Sequence, residues 1–274
     1  MNESDLLSIK QFSEFSGIKQ SVLRYYDEIN LFNPVHRGEN GYRYYSPQQL
    51  ITVKHINVLN ALNTTLKDIG DMSKNRTPQG ILNLLHKQEC KFDEEMRRLQ
   101  IAYSITHIFR GLIQTGISAT ENEMLVCKME KMSIDLGPYN AFGDNKLFYE
   151  TFIDFCKVSK NMKINLSYPV GGYFEGIEDF EKNPSQPTRF FSIDPTGDSE
   201  KEEGDYLVGY TRGYYGDMGD VPQKFKDYAD EHDLIFNGPI YVIYLLDEMS
   251  IRESKQYLAQ VSVPVKYKKK KIEK

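Results

Sequence analysis

The sequence predicts a multidomain α+β chain in three parts: a winged helix-turn-helix domain, a long helix, and a pseudo-twofold α+β domain. Three observations predict it. Two short helical patterns joined by a Gly turn precede an Asn-Gly turn between extended residues. A Pro-free stretch then repeats apolar residues at every seventh position over about 40 residues. Beyond it, strand and helix patterns follow one another in an order that occurs twice. The boundaries fall at 1–76, 77–117 and 118–274.

In order, Ser8 caps "IKQFSEF", where Ile9, Phe12 and Phe15 recur at helical spacing. Gly17 suits the left-handed residue that ends a helix. A second helix covers Gln20 to about Ile29. Pro34, Gly38 and Asn40-Gly41 are turn residues, so "FNPVHR" and "YRYY" form an antiparallel wing. Ser46 then caps a helix with Pro47 at its first position, carrying Leu50, Val53, Ile56, Leu59 and Leu62. Thr64 or Thr65 starts a shorter helix through Met72, and Thr77-Pro78 starts the long one. Leu85, Phe92, Leu99, Thr106 and Ile113 mark one seam of its heptads. Ile81, Ala102 and Phe109 mark the other, which Gln88 and Glu95 interrupt. A helix of about 60 Å cannot bury such a stripe on itself. A second copy of the chain is the expected partner, and packing on the C-terminal domain is the alternative.

In the last part, "EMLVCKMEKMSIDL", "YLVGYTRGYY", "PIYVIYLL" and "AQVSVPVKY" read as strands. "NKLFYETFIDFCKVSKN" is an amphipathic helix with Leu147, Phe148, Phe152 and Phe155 on one face, and "VPQKFKDYADEHD" is another. "LGPYNAFGD" and "RGYYGDMGD" each follow a strand and lead into one of these helices. That is the internal repeat, and a groove is expected between its halves. "DPTGDSEKEEGD" reads as an acidic surface loop between them.

The net charge of −5 hides an asymmetry. Residues 1–76 and 77–117 each stand at +1, and 118–274 at −7. Six lysines in "KYKKKKIEK" read as a solvated end; without them and their one glutamate, residues 118–265 stand at −12. The three cysteines form no C-x-x-C pair, so a cytoplasmic chain with reduced thiols is expected. No apolar run reaches about 18 residues, and the N-terminus lacks the basic start and apolar stretch of a signal peptide.

"SIKQFSEFSGIKQSVLRYYDEINLFNPVHRGENGYRYYSPQQL" resembles the DNA-binding domain of the MerR family of transcription regulators. "LRYYDE" and the "NGYRYYS" wing carry the resemblance over about 70 residues, in the family's order. The heptad helix resembles the family's antiparallel coiled-coil dimerisation helix. Residues 120–270 are similar to the gyrase-inhibitor-like effector domain of multidrug-sensing members, through "LGPYN", the duplicated layout and "GGYFEG". The resemblance implies a homodimer on double-stranded promoter DNA whose elements are spaced too far apart for RNA polymerase. Bending and untwisting the DNA realigns them and activates transcription. It implies neither an enzyme nor a cofactor.

The second helix should then enter the major groove, with Gln20, Ser21 and Arg24 toward bases or phosphates and the Tyr25 hydroxyl toward the backbone. Leu23 and Tyr26 should face the core. In the wing, Arg37, Tyr42, Arg43 and Tyr44 are the candidate phosphate contacts. Family members often carry a basic residue before "TTLKDI"; Asn60 or Asn63 stands there, so one phosphate contact is missing. The domain's charge is low for a DNA binder, although a dimer doubles the contacts.

Metal-sensing members use cysteines at the end of the dimerisation helix. "RGLIQTGISAT" holds none, which argues against a metal or an iron–sulfur cluster. Thirteen of the nineteen tyrosines lie beyond residue 118. Tyr173 and Glu175 share a strand face, a pairing suited to a lipophilic cation. Phe142, Tyr168, Tyr210 and Tyr244 are further candidates. Tyr241 and Tyr244 face opposite ways, so at most one lines the groove. Multidrug-sensing relatives hold a buried acid in the strand matching "PIYVIYLL", which here has none. Either Glu175 replaces it or the ligand is not a simple organic cation. Two other readings stand beside this one. One is a repressor or architectural DNA binder without ligand. The other is a domain with residual small-molecule hydrolysis, although His232 reads as a helix-surface residue and no nucleophile–base pattern accompanies it.

Overall fold

The computed structural model describes residues 5–74, 77–140, 148–162 and 164–268. The chain divides into two compact units, Met1–Leu99 and Gln100–Lys274.

The first unit is built on helix α1 (Ile9–Ser16) and helix α2 (Gln20–Glu28). Ser8 and Gln11 form a reciprocal capping box, the Ser8 N–H donating to Gln11 Oε1 at 2.9 Å. Gly17 closes α1 at φ 73°. Strands β1 (Leu7–Ser8), β2 (His36–Arg37) and β3 (Arg43–Tyr45) form a small sheet in the order β1-β3-β2. Gly41, at φ 77°, turns the wing, and its N–H donates to Gly38 O at 2.8 Å. Helices α3 (Gln49–Ala61), α4 (Leu66–Lys74) and α5 (Pro78–Ser118) follow. Phe12, Leu23, Tyr26, Phe32, Tyr45 and Val53 centre the core, and Tyr45 stacks on Phe12 at 4.6 Å.

The start of α3 differs from expectation. Pro47 and Gln48 form a turn, and the helix begins at Gln49. The Gln49 side chain accepts from the Ser46 N–H at 3.0 Å and donates to Asn33 O at 2.8 Å. The helix start carries no side-chain cap, in place of the one expected from the Ser46 hydroxyl. Thr77 does cap α5, accepting from the Gly80 N–H at 3.0 Å. Within α5, the seam residue Leu99 is 64% exposed and Tyr103, off the seam, 74%, so this part of the helix is uncovered in one chain. Gln88, an interruption in the seam, is buried and donates to Thr64 Oγ1 at 3.4 Å.

The second unit comprises β4 (Met124–Met129), β5 (Met132–Tyr139), α6 (Phe148–Met162), β6 (Val170–Phe174), α7 (Ile177–Lys182) and β7 (Arg189–Ser192). It continues with β8 (Ser199–Lys201), β9 (Gly204–Arg212), α8 (Val221–Glu231), β10 (Leu234–Phe236), β11 (Ile240–Leu246) and β12 (Leu258–Tyr267). The sheet runs β4-β9-β12-β11-β6-β7-β5-β8, with β10 on β12. The paths β5-β7-β6 and β9-β12-β11 repeat one order. They meet antiparallel where Tyr173 opposes Tyr241, so the repeat seen in the sequence becomes a pseudo-twofold about β6 and β11. α7 and α8 pack on the face carrying Phe174, Ile240 and Val242. Ile108, Leu112 and Ile113 of α5 pack in the cluster of Tyr241, Ile243 and Leu245.

Two expectations change here. "EMLVCKMEKMSIDL" splits into β4 and β5, which pair with different strands, β9 and β7. The acidic Asp194–Asp205 stretch is not simply a surface loop, because β8 within it pairs with β5. Lys201 at its end is 5% exposed and donates to Ser262 Oγ at 2.8 Å. Its ammonium lies 4.6 Å and 4.8 Å from the ring centroids of Tyr206 and Tyr241. Among the described residues, no helix is long and apolar enough to cross a membrane.

Candidate functional site

In the first unit, the spacing of α2 sorts its side chains. Leu23, Tyr26 and Asp27 turn inward and are buried. Ser21, Arg24 and Tyr25 are exposed, and Gln20 is half-buried at the first turn. On the wing, Tyr42 is 62% exposed at the turn, whereas Tyr44 is half-buried with its ring 6.0 Å from His36.

The two wing arginines are not simple free phosphate contacts. Arg37 Nη2 donates to both Asp27 oxygens, at 2.7 and 2.6 Å. Arg43 Nε donates to Asp27 Oδ2 at 2.6 Å. The Asp27 side chain is 1% exposed, Arg43's 24% and Arg37's 52%. Alternation along β3 sends Arg43 inward with Tyr45, while α2 presents a buried acid to meet it. Asp27 therefore ties both wing strands to the second helix and sets the angle between them. Sequence reasoning passed over this residue. Its signal was an acid on the inward side of "LRYYDE" facing two wing arginines.

The family model for the MerR helix-turn-helix regulatory proteins matches residues 7–75, the segment that holds this helix and wing. Residues 7–75 are a MerR-type helix-turn-helix domain. Among relatives of the whole chain, the multidrug-efflux transporter 2 regulator of Bacillus subtilis is 25% identical over 93% of this chain and 95% of its own. The HTH-type transcriptional regulator SkgA of Caulobacter vibrioides is 44% identical over 62 residues, 23% of this chain and 24% of its own. A solved EcmrR–DNA complex aligns over 96% of this chain and 100% of its own, with 13% identity and a TM-score of 0.39.

In the second unit, a cleft of about 520 Å³ opens on the face of Phe174, Val242 and Tyr244. Phe109, Phe152, Tyr168 and Phe190 also line it, together with Asp247 and the exposed Glu248. The Tyr244 hydroxyl donates to Tyr214 O and accepts from the Gly216 N–H, both at 2.9 Å. Its polar tip is satisfied, so the ring serves as an apolar wall. Tyr215 packs edge-on against it at 4.7 Å. Burial, then the neighbouring Asp247 and Glu248, push the Tyr215 hydroxyl up.

Of the expected effector residues, Tyr168 and Tyr244 line this cleft, whereas Tyr173, Glu175 and Tyr210 do not. Tyr173 alternates with Phe174 and takes the opposite face, packing edge-on against Tyr241 at 5.6 Å. Its hydroxyl donates to Glu175 Oε2 at 3.3 Å. Burial, then the Glu175 charge, push that hydroxyl up to about 12. Tyr210 packs in the same opposite cluster. Phe142 lies outside the described residues. The acids of the cleft stand directly after "PIYVIYLL", where the chain leaves β11, which is why a search within the strand missed them.

Proposed function

We propose that this regulator works as a homodimer that binds double-stranded promoter DNA, bends and untwists it, and activates RNA polymerase in response to a lipophilic cation. The observation that carries the effector half is the cleft itself. Aromatic rings line it, and Asp247 and Glu248 stand in its wall. Ring faces attract a delocalised cation, and carboxylates at the cleft neutralise its charge. The role of the Bacillus subtilis relative, regulation of a multidrug-efflux transporter, supports the same reading. The dimer reading rests on α5, where Met96, Leu99 and Tyr103 are each more than half exposed along one helix.

On the DNA side, Arg24 and Tyr25 form the outward face of α2, and Gln20 and Ser21 open it. Tyr42 leads from the wing, with Tyr44 beside it. Arg37 and Arg43 act mainly by holding the wing in place, with Arg37 exposed enough to share a phosphate.

Calorimetric titration with tetraphenylphosphonium tests the effector reading. Asp247→Asn combined with Glu248→Gln should weaken binding about tenfold, the loss of roughly one charge contact. Glu175→Gln should leave it unchanged. Equal affinity in all three proteins, or none in any, sinks the cation-sensor reading. For DNA, Arg24→Ala should lower affinity and reduce the salt slope by about 1. An unchanged slope removes Arg24 from the contact set.

A further inference from the structure

The effector reading leaves Lys201 unused. Its side chain starts on β8, the last strand in the sheet order, and reaches the four strands at the opposite end. Nζ donates to Ser262 Oγ of β12 at 2.8 Å and to Met129 Sδ of β4 at 3.4 Å. It stands 4.6 Å from the ring centre of Tyr206 on β9 and 4.8 Å from that of Tyr241 on β11. Lys201 is thus buried on the side of Tyr241, away from the cleft-lining Tyr244. Ring faces and a hydroxyl compensate a buried ammonium only in part. Burial accordingly lowers this amine to about 8, with the Cys127 thiol acting the other way. A lysine desolvated among apolar groups is an activated nucleophile, because its lone pair is free more often. The strand that delivers it has three residues and, among the described residues, pairs with β5 alone. A short strand held on one side opens locally at low cost, which gives a small molecule its way in.

We infer that Lys201 is a covalent capture site for small neutral aldehydes, which it holds as an imine. The site is independent of the cation reading of the cleft. The Nζ lone pair attacks the carbonyl carbon, and the carbonyl electron pair moves to oxygen. The nitrogen sheds a proton and the oxygen gains one, giving a carbinolamine. The C–O bond then breaks, the nitrogen lone pair forms C=N, and water leaves. No oxidant or reductant enters. The Ser262 hydroxyl, in contact with Nζ, is placed to take the shed proton and return one to the departing oxygen. The rings of Tyr206 and Tyr241 give the aldehyde's carbon chain apolar surface. Glu200, Glu202 and Glu203 stand exposed around the end of β8, and the charges of all three act on Lys131. That acidic rim repels carboxylated or phosphorylated carbonyl compounds, so the class is a neutral aldehyde.

Reductive trapping on the full chain tests this. Propanal is added with cyanoborohydride, which reduces the imine to a stable propyl-lysine, and labelled lysines are mapped by peptide mass spectrometry. At pH 7, Lys201 should be labelled about tenfold faster than exposed lysines such as Lys157, a larger free-amine fraction outweighing slower access. Its rate should level off above pH about 8, while rates at exposed lysines keep climbing toward about 10.4. The titratable groups around it are Cys127 on β4, Tyr206 on β9 and Tyr241 on β11, all pushed up by burial, and Glu202, whose charge acts on both rings. The amine therefore titrates first among them as pH rises. Pyruvate, a charged carbonyl compound, should give Lys201 no such advantage. Ser262→Ala should slow labelling of Lys201 and leave exposed lysines unchanged, and Lys201→Arg should leave position 201 blank. Lys201 unlabelled, or labelled no faster than exposed lysines, overturns the inference. A rate at Lys201 that climbs with the exposed lysines, or equal labelling by pyruvate, overturns it as well.

Discussion

Asp27 shows how much one buried carboxylate can organise. It receives three charge-assisted hydrogen bonds from two arginines of the wing, all between 2.6 and 2.7 Å. Arg43 is three-quarters buried, so removing the acid strands its charge. Asp27→Ala should therefore destabilise the first unit by about 3 kcal/mol, read as an earlier thermal transition of that unit. DNA affinity should fall as well, although Asp27 itself is too buried to reach a phosphate. A variant with unchanged stability would mean that the wing is held by its apolar contacts alone. The two Arg-Tyr-Tyr stretches thus do different work. In α2, Arg24 and Tyr25 turn outward and Tyr26 inward. In β3, Arg43 and Tyr45 turn inward and Tyr44 stays at the rim.

Local chemistry governs the single elements. The helix-turn-helix has its start at Ser8, its break at Gly17 and its wing turn at Gly41, each a residue type that one backbone geometry requires. Ser8→Ala should cost about 1 kcal/mol, because α1 has only eight residues over which to share a lost cap. Chemical denaturation of the first unit measures it, and a cost near zero would show that Gln11 alone satisfies the helix start. The same local reading misplaced the start of α3. There a glutamine reached back to Ser46 and across to Asn33, a choice set by where the loop before the wing happens to lie. β7, β8 and β10 went unread for a related reason. They are short, and pairing partners far along the chain hold them, not their own alternation.

At the scale of the whole molecule, stability against pH should carry the mark of Lys201. Burial lowers its ammonium from the ordinary 10.5 to about 8, and among the described residues its bonds go to Ser262 Oγ and Met129 Sδ, not to a carboxylate. Between about 8 and 10.5 the folded chain then binds fewer protons than the unfolded one, so stability rises with pH across that window. Below it, the cost of burying the charge is present in full. Lys201→Met should flatten the rise and stabilise the second unit at pH 7 by about 2 kcal/mol, as replacement of a buried ion by an apolar chain often does. Tyr206 and Tyr241, whose hydroxyls burial pushes above their usual value, oppose the trend only at the alkaline end. A flat wild-type curve between about pH 8 and 9.5 would refute this account.

Periodicity, caps and turn residues are properties of a few neighbouring positions, so the sequence by itself determined the helix-turn-helix, the wing, the reach of α5 and the duplicated layout of the second unit. It also determined which side of each strand a residue takes, and hence that Tyr241 and Tyr244 part company. Which of those sides faces a cleft was decided by the tertiary structure alone. Tyr173 and Glu175 were equally plausible on alternation, yet α7 and α8 cover the other face, and the cleft opens beside them. Asp27, Lys201 and Asp247 acquired their roles in the same way. The worth of a charge depends on the dielectric and the partners that distant segments bring to it, and no local pattern encodes those.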